Sequence, residues 1–128
     1  MAALSSFFKV GSAFALITGT SDVLLGVGIV ERTTGVSFPV NSAAAVFADS
    51  QIRFLGGMWA GWGAMLWWAS NDLRTRRVPL AILGAVMVLS GIGRSISGVL
   101  HGFGSGLVVG ATAVELVVPP VIWIFGRW

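Results

Sequence analysis

Four long apolar runs constrain what this chain can fold into more than any other feature. They occupy much of its 128 residues and cover residues 10–30, 52–69, 79–100 and 107–125. Each run has about 18–23 residues, enough at ~1.5 Å per residue to cross a hydrocarbon core of ~30 Å. Because backbone groups in lipid must hydrogen-bond within their own segment, we expect each run to be a helix. The predicted fold class is therefore all-α: an integral membrane four-helix bundle, with residues 1–128 as a single transmembrane domain.

Composition supports lipid as the solvent of these helices. Hydrophobic residues make up 55% of the chain and charged residues 10%, whereas soluble domains carry roughly 25% charged residues. The eight lysines and arginines are dispersed along the chain and the net charge is only +3, so we expect no nucleic-acid partner. The chain has no cysteine, which excludes a disulfide framework and a thiolate zinc site. We expect neither a metal nor a cofactor.

The one long connection, residues 33–50, precedes the second run. Within it Asn41 or Ser42 can cap a helix that starts with three alanines. We therefore expect a short interfacial helix at about residues 42–50, either separate from the second span or continuous with it. Pro79 suits the first turn of the third helix, where its missing N–H is not needed. The glycine-rich residues 101–106 predict a tight turn between the last two spans.

Lysines and arginines in the flanking segments predict the orientation, since positive residues favour the cytoplasmic side. With four crossings, Arg32 falls on one side of the membrane. The opposite side receives Lys9, Arg74, Arg76, Arg77 and Arg127. We therefore expect a multi-pass membrane protein with cytoplasmic amino and carboxyl termini.

Ionisable residues inside the apolar runs are the most informative feature for function, because each is costly in lipid unless it has a partner. One occurs in each span: Asp22, Arg53, Arg94 and Glu115. Counted along helices of alternating direction, all four fall in the non-cytoplasmic half of the membrane, with Asp49 and His101 at the outer edge. We interpret this neutral set either as a structural clasp that fixes helix order or as a polar pocket open to one side.

Candidate site residues follow from these two interpretations. The groups able to carry acid–base chemistry are Glu115, His101 and Asp22, and the candidate binding residues are Arg53, Arg94, Asp49, Trp59 and Trp62. The two tryptophans are three residues apart and so share one helix face. They are either packing aromatics or walls that stack on a lipophilic ligand.

Small residues recur at spacings that let membrane helices approach closely. The pairs and series are Gly57 with Gly61, Gly106 with Gly110, Gly11 with Ala15 and Gly19, and Gly91 with Ser95 and Gly98. Packing within the chain and packing between chains both fit this pattern.

The chain resembles a family of short bacterial and fungal membrane proteins, the domain of unknown function 4345. The resemblance runs from Gly19 to Trp123. Its motifs are Asp49-x-Gln51-x-Arg53-Phe54 leading into Gly56-Gly57-x-Trp59-x-Gly61-x-Gly63, then Gly91-x-Gly93-Arg94-x-Ile96-Ser97, and Glu115-x-x-x-Pro119-Pro120. It implies a four-span bundle and carries no activity with it. The chain departs from the family pattern at Gln51, which is neutral where an acidic residue is common.

The sequence leaves three functions open, and with them whether the protein is an enzyme. The first is a non-enzymatic accessory or assembly subunit of a membrane complex. The second is a binder of a lipophilic molecule such as an isoprenoid, sterol or quinone, or an isomerase- or cyclase-type enzyme acting on one. The third is a small transporter, which needs an oligomer because one four-span chain lacks internal repeats. The expected partners are the lipid bilayer together with a second copy of the chain, a membrane-complex subunit or a lipophilic ligand.

Overall fold

Five helices make up the chain in a computed structural model, which describes residues 2–126. They are α1 (Ala2–Leu25), α2 (Val27–Thr34), α3 (Ala43–Ser70), α4 (Arg77–His101) and α5 (Gly106–Phe125). The described chain is thus all-α, as the sequence predicts. Its contacts divide it into two compact units: an N-terminal unit, Ser5–Trp68, and a C-terminal unit that contains α4 and α5. Arg127, one of the flanking charges, lies outside the described residues.

Three of these helices are long and apolar enough to cross a membrane: α1, α4 and α5, with mean hydropathies of 1.3, 1.7 and 2.0. Most of their side chains are not buried, and apolar ones such as Val99 and Leu107 are 83% and 75% exposed. Such surfaces favour lipid over water, which indicates a membrane protein. Within residues 2–126, α3 does not meet the same criteria of length and hydropathy. Its glycines and tryptophans contribute little hydropathy and dilute the apolar side chains between them.

The first apolar run is not one helix, which corrects the expectation for residues 10–30. α1 ends at Leu25, Gly26 turns the chain with φ 53° and ψ −134°, and α2 then begins at Val27. Hydropathy does not detect this break because the residues on both sides of it are apolar. α2 ends at Thr34, and the following Gly35 caps it by donating its N–H to the Glu31 carbonyl oxygen at 2.8 Å.

Local signals at the other helix ends act as predicted. Ser42 rather than Asn41 caps α3, because its hydroxyl oxygen accepts the Ala45 N–H at 3.1 Å. From there α3 continues without a break through the second apolar run. Pro79 lies in the first turn of α4, and the turn after His101 leads into α5.

α1 and α3 pack backbone against backbone in the N-terminal unit. A Cβ atom at Gly19 would lie only 2.6 Å from the backbone nitrogen of Ala60, and one at Gly63 would lie 3.0 Å from the Ser12 carbonyl oxygen. Within this contact the Ser12 hydroxyl donates to the Gly63 carbonyl oxygen at 2.5 Å. Small residues therefore bring these two helices together, as the sequence predicts.

The glycines that make the contact on α3 are not the predicted pair. Among residues 2–126, nothing lies within 4 Å of a Cβ atom built at Gly61, and one at Gly57 reaches only Val23, at 4.0 Å. Gly56 and Gly63 face α1 instead, because their separation of seven residues keeps both on one side of the helix.

Candidate functional site

Arg94 on α4 and Glu115 on α5 form an ion pair in the C-terminal unit. Gly91, one turn before Arg94, lets the helices approach: a Cβ atom there would lie 2.8 Å from the Leu116 side chain and 3.1 Å from Glu115 Cβ. The Arg94 Nε atom lies 3.1 Å from Oε1 and 3.0 Å from Oε2 of Glu115. The two side chains therefore touch directly, with no ligand-sized space between these atoms.

This pair is unevenly exposed and only partly hydrogen-bonded. Glu115 is 7% exposed, whereas the Arg94 side chain is 45% exposed. The Nε–H group donates to Oε1, while Oε2 receives no hydrogen bond from residues 2–126. Within the same residues the two terminal amino groups of Arg94 have no acceptor. The buried acid thus holds the arginine at Nε and leaves the outer edge of the guanidinium without a protein partner.

Asp49 and Arg53 form a second ion pair, in the N-terminal unit, which closes the break between α1 and α2. Arg53 Nε donates to Asp49 Oδ2 at 2.7 Å. Arg53 Nη1 donates to the carbonyl oxygens of Val23 and Leu24 at 2.6 and 3.2 Å, and Asp49 Oδ1 accepts the Val27 N–H at 2.9 Å. Helix ends leave such backbone groups without intrahelical partners. One pair of side chains on α3 therefore supplies hydrogen bonds to the free carbonyl oxygens at the end of α1 and to a free N–H at the start of α2.

Asp22 does not pair with Arg53. The sequence places both in one neutral set, but Arg53 takes Asp49, which lies four residues earlier on the same face of its own helix. Within residues 2–126 the Asp22 carboxylate has no ion pair or hydrogen bond. Its Cβ atom lies beside Gly56, where an added Cβ would approach it to 2.6 Å. The paired charges thus serve an interhelical contact at Arg94 and a helix junction at Arg53, and Asp22 belongs to neither pair.

Trp59 and Trp62 stack on each other, which confirms that they share one face of α3. Their ring centroids are 4.8 Å apart and the planes differ by 15°. The Trp59 Nε1–H group donates to the Thr18 hydroxyl oxygen of α1 at 2.9 Å. One face of each indole is therefore covered by the other ring, and Trp59 is tied to α1.

The acid–base candidates of the C-terminal unit are separate from each other. His101 is the exposed last residue of α4, and its side chain makes no hydrogen bond within residues 2–126. Ser95, the serine that would serve as nucleophile in a catalytic triad with these two groups, donates its hydroxyl to the Gly91 carbonyl oxygen at 2.8 Å. Because Glu115 contacts Arg94, the described chain does not assemble a serine, histidine and acid in hydrogen-bonding order.

Sequence reasoning missed the helix junction and the Thr18–Trp59 hydrogen bond. Two signals pointed to the junction: Gly26 and Gly28 in an otherwise apolar stretch, and the four-residue spacing of Asp49 and Arg53. No sequence signal distinguishes Thr18 from a threonine that bonds only to its own helix, since it also donates to the carbonyl four residues earlier.

Fold and site together define a class: an all-α membrane protein with charged residues paired on its helices. The sequence profile of the family described as Domain of unknown function (DUF4345) matches residues 3–125. The chain belongs to this family, as its motifs predict. No curated protein and no solved structure matches it significantly.

Proposed function

We propose that this protein is a four-span membrane protein with cytoplasmic termini, acting as a non-enzymatic accessory or assembly subunit of a membrane complex. The observation that carries the proposal is the direct contact between Arg94 and Glu115. A pocket for acid–base chemistry needs an acid that a substrate can reach, and Glu115 is 7% exposed with an arginine against its carboxylate. A structural clasp needs only that the two charges meet.

The packing of α3 on α1 supports a fourth span. Contacts run from Ser12 with Gly63 to Val23 with Arg53, so the numbering rises along α1 as it falls along α3. At the far end the Lys9 ammonium lies 5.8 Å from a ring centroid of the α3 residue Trp67. A helix that packs antiparallel along most of a transmembrane helix shares its depth in the bilayer. With 28 residues, α3 extends over ~42 Å and can cross it.

Unused small-residue positions support an assembly role. The Gly57 and Gly61 pair has the spacing at which membrane helices approach closely, yet α1 packs on other glycines. Gly106 and Gly110 also have no neighbour within 4 Å of an added Cβ among residues 2–126. These positions leave room for a helix of another subunit or of a second copy.

The test is the size of the protein extracted from its native membrane in a mild detergent. We expect a complex larger than the monomer, and Gly61→Leu should dissociate it because the added side chain fills the approach site. Ala85→Leu, on an exposed position of α4, is the matched control and should leave the complex intact. A monodisperse monomer from the unsubstituted chain would contradict the proposal. A co-purifying isoprenoid, sterol or quinone would favour the lipophilic-ligand alternative instead.

A further inference from the structure

Four polar residues form one exposed row on a helix that is otherwise mostly apolar. Ser90, Arg94, Ser97 and His101 follow each other along α4 at spacings of four, three and four residues, and all four are exposed. These spacings place them on one helix face, here called the polar row. Exposed apolar side chains lie beside it on the helix surface: Val86, Leu89 and Leu100.

The hydrogen-bonding groups of the polar row have little to bind within the chain. Serine hydroxyls in helices often return to the carbonyl four residues earlier, as Ser95 does. The hydroxyls of Ser90 and Ser97 make no such bond, and the terminal amino groups of Arg94 have no acceptor within residues 2–126. Polar groups that face lipid without partners are costly. The surroundings of the row must therefore supply hydrogen-bond acceptors.

The depth of Arg94 indicates which acceptors it can reach. With 25 residues, α4 is ~37 Å long and exceeds a hydrocarbon core of ~30 Å by several ångströms. Arg94 lies seven residues, or ~10 Å, before the end of the helix at His101. This places it a few ångströms inside the hydrocarbon edge, within the range over which a long cationic side chain reaches the interface. Phosphate and ester oxygens of lipids are the concentrated acceptors there.

We propose that the polar row binds the phosphodiester group of a membrane phospholipid, with Arg94 as the principal donor. Because Glu115 holds the guanidinium at Nε, both terminal amino groups are available as a fork that matches two phosphate oxygens. Glu115 is then a positioning residue. Ser97 and His101, one and two turns nearer the interface, donate to the remaining headgroup oxygens. The flanking apolar side chains lie against the acyl chains.

This binding is independent of the assembly role, because the row lies on α4 and the partner contact is tested at Gly61 on α3. Either proposal can therefore fail alone.

Native mass spectrometry of the full chain, released from a mild detergent, tests the phosphodiester. The probes are phosphatidylglycerol, a diacylglycerol with the same acyl chains, and soluble glycerol 3-phosphate. We expect a retained phosphatidylglycerol adduct and neither of the other two. Equal retention of diacylglycerol would overturn the proposal, since the phosphate would then contribute nothing. Displacement of the lipid by glycerol 3-phosphate would overturn the assignment to a lipid in favour of a soluble phosphate.

Variants locate the adduct on the row. The double variant Arg94→Gln/Glu115→Gln removes both charges together and leaves no unpaired buried carboxylate. It should lower phosphatidylglycerol retention about tenfold or more, because hydrogen bonds to a charged group are lost. Full phosphatidylglycerol retention by a double variant whose helicity is unchanged would overturn the proposal. A homodimer of the unsubstituted chain that this double variant alone dissociates would also overturn it, because the row would then bind a second copy of the chain.

A serine pair keeps the test decisive if the double variant does not fold. Ser97→Ala removes a hydroxyl of the row and should lower retention about threefold or more. Ser95→Ala removes a hydroxyl that is already bonded within α4 and should change nothing. Equal effects of the two serine variants would overturn the proposal.

Discussion

Replacing Gly26 with alanine should destabilise the junction between α1 and α2. With φ 53° and ψ −134°, Gly26 has a backbone conformation that L side chains adopt only with strain, of about 1–3 kcal/mol. The new Cβ atom would also overlap Asp49 Oδ1 and lie 2.7 and 2.8 Å from Arg53 Nη2 and Nε. The ion pair must then move away from the backbone groups that it binds. This displacement weakens its hydrogen bonds to them, which is a second contribution to the destabilisation.

Exposure reduces this second contribution, since the two side chains are 43% and 33% exposed and water screens part of their interaction. The free energy of unfolding should therefore fall by the backbone strain of about 1–3 kcal/mol and by a further amount from the displaced ion pair.

Alanine substitutions at two other glycines of the same region distinguish the backbone strain from the contact with the ion pair. Gly28 lies inside α2 with nothing within 4 Å of an added Cβ atom among residues 2–126, so Gly28→Ala should be neutral or stabilise by about 0.5–1 kcal/mol. Gly35 has φ 71° and equally open surroundings. Gly35→Ala therefore carries only the backbone penalty, about 1–2 kcal/mol.

Unfolding by sodium dodecyl sulfate from neutral detergent micelles, followed by far-ultraviolet circular dichroism, measures this order. We expect Gly28→Ala to be the most stable of the three variants and Gly26→Ala the least. If Gly26→Ala and Gly35→Ala unfold at the same detergent fraction, the contact with Asp49 and Arg53 contributes nothing and the reasoning is refuted.

Three further changes test other contacts. Gly19→Ala should destabilise by about 2–3 kcal/mol, because the α3 backbone that the added Cβ atom would meet cannot move aside without strain. Gly61→Ala should leave the unfolding midpoint in sodium dodecyl sulfate unchanged. Thr18→Val removes the acceptor of the indole N–H described above and should cost about 1 kcal/mol; an unchanged tryptophan emission spectrum and midpoint would count against that bond. The Thr75 hydroxyl, donating to the Asp72 carboxylate at 2.6 Å, holds the pKa of that carboxyl below its ordinary value. Its stabilising contribution is therefore present above the unfolded-state pKa and is lost as the pH falls through the folded one. Thr75→Val should raise the Asp72 pKa in a carbon-detected NMR titration, and an unchanged titration would exclude the hydroxyl as the cause.

The sequence predicts the helical class and most helix ends because those features depend on local chemistry. Ser42 and Pro79 act within one turn of their own helix, so their types and positions suffice. The contact of Arg94 with Glu115 is also foreseeable, since an arginine and an acid inside apolar helices each need an opposite charge. Whether the two side chains touch or are separated by a cavity is not foreseeable, because a sequence does not give the distance between two helices.

Other features could not be read from the sequence because several residues satisfy the same pattern. Gly56, Gly57, Gly61 and Gly63 all allow close approach, and only the rotation of α3 about its axis decides which of them face α1. The partner of Arg53 is undetermined for the same reason: Asp22 and Asp49 both offer the required charge. The choice of Asp49 depends on a helix break that hydropathy does not register.

The stacked tryptophans of α3 have a spectroscopic consequence. The chain contains no tyrosine and six tryptophans, so its near-ultraviolet absorption comes mainly from indoles. Two of them, with ring centroids 4.8 Å apart and nearly parallel planes, are close enough for their electronic transitions to couple. Their exciton signal would vanish once the rings separate, which gives the protein a label-free reporter of order within α3 in any membrane or detergent.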